Sequence, residues 1–379
     1  MENRSSDVAL CREMLPGLDL VTLSRQGLSE LFITCRPHPG ETVAALFQRF
    51  AHLLKEREAR VLKQTVFGAR AAHPAALAAL TDACGAIEWP LTWIEGLPCA
   101  GGEIAGIQAH ALVGAPIETL HLGEHVVGRL FDDGLARYCI LGNLLPLDAR
   151  ASEPDQARQL FESLEAALGG AGMQCSDLAR TWLFLDRILD WYGEFNPVRT
   201  QFFAERRLFD GLVPASTGIG GANTAGAAIT AEAIALQPSN GQVSVLEVPS
   251  PLQCPARAYG SAFSRAVVIS SPGVRRLLIS GTASIEPGGK SAHDGDVAAQ
   301  VDLTMRVVAG ILASCDMGFA DITRAVAYFK RAEDAPALAR YCTAHGIAGF
   351  PVILAQDDIC RDELLFEIEV DAITARPPA

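Results

Sequence analysis

The chain has 379 residues, 49% of them hydrophobic, and a formal charge of −13. That is length for two or three domains and apolar content for a sizeable core. The acidic excess argues against nucleic acid as a partner, since binding phosphates needs a surplus of Lys and Arg.

The first periodic element places Val43, Leu46, Phe47, Phe50 and Leu54 on one helical face, after a strand-like Leu31–Thr34. A short strand over Val61–Phe67 follows, then a less regular helix up to Pro90, and a strand over Ile107–Leu112. A hairpin comes next: Val126–Phe131 turns through Asp132-Asp133-Gly134 into Ala136–Leu141. The same series then repeats. Leu160, Phe161, Leu164, Ala167 and Leu168 form a second amphipathic face, Ala179–Leu185 a second short strand, Trp191–Phe203 a helix before Pro214, and Ala231–Leu236 a strand. A third round runs from the hairpin Ser264–Ser270/Val274–Ile279 through Val297, Val301, Met305, Val308 and Leu312, the strand Thr323–Phe329, and Pro351 to the strand Ile368–Ile373.

Two landmarks keep one register. Pro90, Pro214 and Pro351 are spaced by 124 and 137 residues, and so are Leu112, Leu236 and Ile373. An α+β fold is predicted, with three sheet-plus-helices units in one chain, divided as residues 1–118 (an N-terminal arm and a degenerate unit), 119–240 and 241–379. Three such units can close around a centre with their sheets inward, which puts clefts where neighbours meet.

Comparing the copies isolates one residue. Glu369 aligns with Glu232 and Gln108, which marks it as structural, whereas Glu367 aligns with Thr230 and Gly106. A carboxyl on an inner, desolvated strand face has a raised pKa and can donate a proton near neutrality. Other signals are weak. Ser216–Gly221 is glycine-rich but lacks the Lys-Ser/Thr of a phosphate loop and the third fingerprint glycine. His121 and His125 have no third ligand, and no serine sits in a nucleophile elbow. Ten cysteines without a CxxC pair, and a start, MENRSSDVALCREM, without signal-peptide character, predict a cytoplasmic protein with reduced thiols and no metal. No apolar run reaches membrane-spanning length, so no membrane partner is expected.

The residues Phe195-Asn196, Arg199, Phe202-Phe203, Pro214-Ala215 and Phe366-Glu367-Ile368-Glu369 resemble the YjgF/RidA family. That resemblance implies a chorismate-mutase-like fold and, here, a single-chain pseudo-trimer with sites between units. The family's deaminases hold a substrate carboxylate with an arginine two residues after the proline. Thr92, Ser216 and Ile353 stand there instead, which disfavours an imine or enamine deaminase.

A wider set resembles the chorismatases: Ile140–Asn143, Tyr192-Gly193 with Asn196 and Arg199, Pro214–Gly220, Arg257-Ala258-Tyr259-Gly260 with Phe263–Ala266, Ile279–Ser284, and Cys360-Arg361 with Leu364–Glu369. The resemblance covers most of the chain and is thinnest in the first unit. It implies cleavage of chorismate without metal or organic cofactor, with Glu367 as catalytic acid. Two substrate carboxylates in an acidic chain call for arginine clamps, for which Arg265, Arg199 and Arg361 are the candidates. Tyr259, Tyr192 and Thr217 are expected to supply hydroxyl contacts, and Gly260 and Gly218 room for the ring.

In aromatising members of the family a cysteine stands seven residues before the glutamate, and here that residue is Cys360. The expected reaction therefore gives 3-hydroxybenzoate and pyruvate, with some 4-hydroxybenzoate allowed. The alternatives are a hydrolytic chorismatase releasing a dihydroxycyclohexadiene carboxylate, a RidA-like deaminase, and a non-catalytic binder of small acids. A pseudo-trimer already satisfies its own interfaces, so a monomer is the default expectation and a dimer the other option.

Overall fold

The computed structural model describes residues 8–375, apart from the side chain of Tyr259. Three sheets share one strand order. The first runs β1-β2-β3-β7-β4-β5, from β1 (Val8–Leu15), β2 (Leu18–Arg25), β3 (Leu28–Cys35), β4 (Arg60–Gly68), β5 (Leu91–Ile94) and β7 (Ile104–Val113), while β6 (Leu97–Pro98) leaves it to pair elsewhere. The second runs β8-β9-β10-β13-β11-β12, from β8 (Glu118–Leu122), β9 (His125–Asp132), β10 (Ala136–Leu144), β11 (Leu178–Leu185), β12 (Ala215–Gly220) and β13 (Ile229–Pro238). The third has β14 (Ser244–Val248), β15 (Ala266–Ser271), β16 (Val274–Ala283), β19 (Phe366–Ala375), β17 (Ile322–Phe329) and β18 (Val352–Gln356) in that order, and takes β6 on its far edge.

Each sheet is antiparallel except for one parallel pair: β4/β5, β11/β12 and β17/β18. A helix must lie between parallel strands. That need is met by α2 (His73–Cys84), α4 (Ile188–Glu205) and α6 (Pro336–Ala344), each beside the helix that precedes it: α1 (Val43–Glu56), α3 (Glu153–Gly170) or α5 (Val297–Ala313). The periodic residues read from the sequence are the buried faces of α1, α3 and α5, except that Val43 and Val297 are only half-buried. Residues 8–25 form the hairpin β1–β2 on the edge of the first sheet.

The inner faces meet on a pseudo-threefold axis. Strand pairing sets Thr65 opposite Gln108, Trp182 opposite Glu232 and Val326 opposite Glu369, so these are equivalent positions. Two residues earlier on the central strands stand Lys63, Arg180 and Arg324. All three cations lie over the indole of Trp182, at 4.0, 4.5 and 4.9 Å from the ring centroid. Two residues later stand Phe67, Phe184 and Tyr328, packed edge to face at about 6 Å.

Buried cations need partners. Lys63 pairs with Glu232, which also accepts from Thr65 Oγ1 at 2.6 Å. Glu369 meets Arg324 and, at 3.2 Å, Arg180. The third position, Gln108, has no charge and donates to the Ala325 carbonyl at 2.8 Å. The same ladders revise one alignment. Thr92, Thr217 and Ile353 pair with equivalent central residues, so Thr217 rather than Ser216 stands where the deaminase arginine was sought. The second strand enters its ladder one residue later than the proline spacing implies.

Glu232→Ala leaves the Lys63 ammonium buried and unpaired. It should cost about 3–5 kcal/mol in a denaturant titration with unchanged slope; a loss below about 1 kcal/mol would mean the pair behaves as an exposed one.

Candidate active site

Glu367 lies on β19 opposite Tyr328 of β17 and Ala283 of β16. It is 4% exposed and faces a cavity between the second and third sheets. Room for the carboxyl comes from a β-bulge between Ile279 and Thr282, which turns Gly281 toward it. A Cβ on Gly281 would stand 2.1 Å from Glu367 Oε1, so any side chain there collides with the acid.

Behind Glu367 lies a buried charge network. The Thr217 hydroxyl accepts from Arg180 Nη2 at 2.7 Å and from the Gly281 N–H at 3.0 Å, and donates to Glu369. Burial alone would push Glu369 up, but Arg324, Arg180 and Thr217 more than offset this and hold it below the usual carboxylate value. Glu367 has a different balance. Burial and then the Glu369 charge push it up, Arg180 and Arg265 oppose them, and it titrates at about 8. At neutral pH it is mainly the protonated acid.

The second sheet's helix α4 brings Tyr192 and Arg199 to the cavity, and β12 brings Ser216 and Gly218. Arg199 is 1% exposed and donates to Asn196 Oδ1 at 2.7 Å. Pro197 lies inside α4, where it removes one backbone donor without ending the helix. From the third sheet's side come Ser261, Phe263 and Arg265. Arg265 is anchored through Nε on the Cys254 carbonyl at 3.0 Å. Both guanidinium groups lie over the Phe263 ring, Arg199 at 5.9 Å and Arg265 at 5.5 Å. Phe263 thereby spaces two cations on one wall of the cavity.

The loop before β19 supplies Cys360, Arg361 and Leu364. Arg361 donates to the Gly289 carbonyl at 2.9 Å and Ser291 Oγ at 3.2 Å, both in the loop after β16. Burial and then Glu367 push the Cys360 thiol up to about 12, against smaller opposing effects of Arg361 and a hydrogen bond with Tyr192. It is a neutral S–H at any ordinary pH. It can shape the cavity and exclude water, and it is not poised as a nucleophile.

Seven of the ten residues singled out from the sequence meet here: Glu367, Cys360, Arg265, Arg199, Arg361, Tyr192 and Gly218. Thr217 does not line the cavity, because its hydroxyl is committed to the network behind it. Gly260 ends a short 3-10 turn with φ of 87° and lies in an adjoining surface depression with Thr200, Phe209 and Arg257, which meets the cavity at Ser261. The side chain of Tyr259 lies outside the described residues. Sequence reasoning quoted Gly281 and Phe263 only within motifs and gave them no role, and it did not single out Arg180. The last had a signal: a basic residue interrupting an apolar strand in the same register as Lys63 and Arg324.

No protein-family model matches the chain. Among curated proteins it is 32% identical over 216 residues to a chorismatase of Streptomyces rapamycinicus, covering 51% of this chain and 63% of the relative. It is 29% identical over 261 residues to a 3-hydroxybenzoate synthase of Streptomyces hygroscopicus, covering 61% and 73%. The chain thus spans less than two thirds of the S. rapamycinicus protein's length. A chorismatase crystal structure superposes with a TM-score of 0.60 at 20% identity, over 82% of this chain and 92% of that one. The chain thus has the fold of that chorismatase structure and is similar in sequence to a chorismatase and a 3-hydroxybenzoate synthase.

Proposed function

We propose that the protein converts chorismate to 3-hydroxybenzoate and pyruvate. The observation that carries this reading is Glu367: a buried carboxyl titrating at about 8, aimed into a cavity walled by Arg199, Arg265 and Arg361. Chorismate bears two carboxylates and an enolpyruvyl ether. The arginines hold the carboxylates, and the neutral Glu367 donates its proton to the methylene carbon. The resulting oxocarbenium ion makes pyruvate a good leaving group. Carbon protonation is slow in water, so a strong acid fixed at short range supplies much of the rate.

The 4-hydroxyl oxygen of the substrate then attacks the adjacent carbon as the ether bond breaks, giving an arene oxide. Opening of that oxide and loss of a ring proton aromatise the product. The two products together contain the atoms of chorismate, so no water enters. The half-buried Cys360, beside Glu367 and Tyr192, favours this route because a neutral thiol there takes up space that an attacking water would need.

Incubation with chorismate should release equimolar pyruvate and 3-hydroxybenzoate, with no oxygen from labelled solvent water in the ring product. Absence of pyruvate would end the proposal. Glu367→Gln should lower kcat by about 10²–10⁴-fold with the fold retained. In the wild type the rate should fall by about tenfold per pH unit above the titration of Glu367. Cys360→Ala should divert product toward the dihydroxycyclohexadiene carboxylate with labelled oxygen; an unchanged product would remove the thiol from product control.

Stability should move with pH as well. Glu367 titrates at about 8 in the folded state against an ordinary value of 4.5, so the folded protein holds the proton more tightly than the unfolded chain. The resulting penalty is absent below the unfolded value and complete above the folded one. Relative to Glu367→Gln, the wild type should therefore lose on the order of a few kcal/mol as pH rises through this window, read from paired denaturant titrations. A constant difference across the window would place the carboxyl in solvent.

A further inference from the structure

Glu369 was read from the copies as structural, because Glu232 stands at the equivalent place. The two carboxylates do make similar contacts. Each is fully buried, each pairs with a cation from the central strand of a neighbouring sheet, and each accepts from a threonine hydroxyl of that neighbouring sheet. What differs is the residue two positions back. Beside Glu232 it is Thr230, whose hydroxyl donates to the Leu144 carbonyl at 2.8 Å. Beside Glu369 it is the cavity's carboxyl, Glu367.

Residues two apart on a strand share a face about 7 Å apart. Both carboxyls are buried, so a fixed charge at that distance acts with little screening. Glu369 does not reach the cavity, and Arg180 meets it from the second sheet. We propose that Glu369 and Arg180 are positioning residues for Glu367: the carboxylate of Glu369 keeps the proton on Glu367, and Arg180 limits how tightly it is kept. This rests on the reading of Glu367 as the acid that cleaves chorismate.

The other ionisable groups around Glu367 do not substitute for this pair. Arg265 before β15, Arg199 on α4 and Arg361 in the loop before β19 are cations, and each favours the carboxylate. Cys360 in that loop and Tyr328 on β17 are pushed up by burial and stay neutral. Tyr192 on α4 has its hydroxyl engaged with Cys360. Glu369 is thus the negative charge next to Glu367, and its own ionisation is held by Arg324 as well as Arg180.

The test compares Glu369→Gln, Arg180→Met and the charge-balanced double variant. The carboxyl of Glu367 is followed by infrared titration, its band assigned by its loss in Glu367→Gln. The midpoint should fall by about one pH unit or more in Glu369→Gln, rise by a similar amount in Arg180→Met, and return near the wild-type value in the double variant. The alkaline limb of kcat on chorismate should move in the same order while KM stays unchanged. Glu369→Gln leaves two arginines without their shared partner; if it does not fold, the rise in Arg180→Met and its reversal in the double variant decide the matter. Midpoints that stay at the wild-type value in the folded variants would overturn the proposal and leave the pair as an interface clamp. A wild type that does not cleave chorismate would defeat the functional reading alone, since the infrared titration needs no turnover.

Discussion

The molecule is organised around one demand: three cations buried on a common axis must find anions without water. Lys63, Arg180 and Arg324 enclose the Trp182 indole, and Glu232, Glu369 and Asp371 pair with them. Lys63 and Arg180 find their carboxylates on the following sheet in chain order, so neither pair can form within one sheet. Such pairs contribute little net stability over an apolar core, but they penalise wrong arrangements heavily. The pairs cross from sheet to sheet, while the aromatic layer of Phe67, Phe184 and Tyr328 supplies apolar burial beside them.

The cavity is a consequence of that symmetry being imperfect. At the position of Glu367 the first sheet has Gly106, on which Ile353 packs so closely that a Cβ would lie 2.7 Å from its Cδ1. The second has Thr230, turned away to a carbonyl. Only in the third does a carboxyl occupy the place, and only there does the bulge residue lack a side chain facing it. Asn143, the equivalent of Gly281 in the second sheet, donates its N–H to Thr92 as Gly281 does to Thr217. The backbone device is shared, and the side chains decide which copy holds the acid.

Much of this was legible in the sequence because repetition makes departures visible. Helix faces, central strands and closing strands followed from periodicity, and Glu367 from a comparison of copies. What stayed hidden depends on contacts between distant segments. The bulge at Gly281 has no periodic signature, since a one-residue insertion looks like ordinary strand. Phe263 sits in an irregular stretch, and its role exists only once Arg199 and Arg265 converge on it. Thr217 was expected to supply a hydroxyl contact; its hydroxyl meets Arg180 and the Gly281 N–H behind the cavity. Gly260 was assigned by motif alone, and motif does not say which side of a turn faces a cavity.

The two-residue strand Leu97–Pro98 is the smallest element in the molecule, yet it pairs with Ala355 and Gln356 at the far end of the chain. It joins Arg12, Arg25, Arg36 and Gln108, which reach the Ile322, Pro272, Val352 and Ala325 carbonyls, in tying the first sheet to the third. This is the junction between segments with the greatest sequence separation, and bringing them together costs the most chain entropy. The first and second sheets, and the second and third, can associate as the chain condenses, whereas the ring closes only when its ends meet. Closure is thus the junction with the largest chain-entropy cost, and Glu367, whose surroundings come from the second and third sheets, draws on a junction whose cost is smaller.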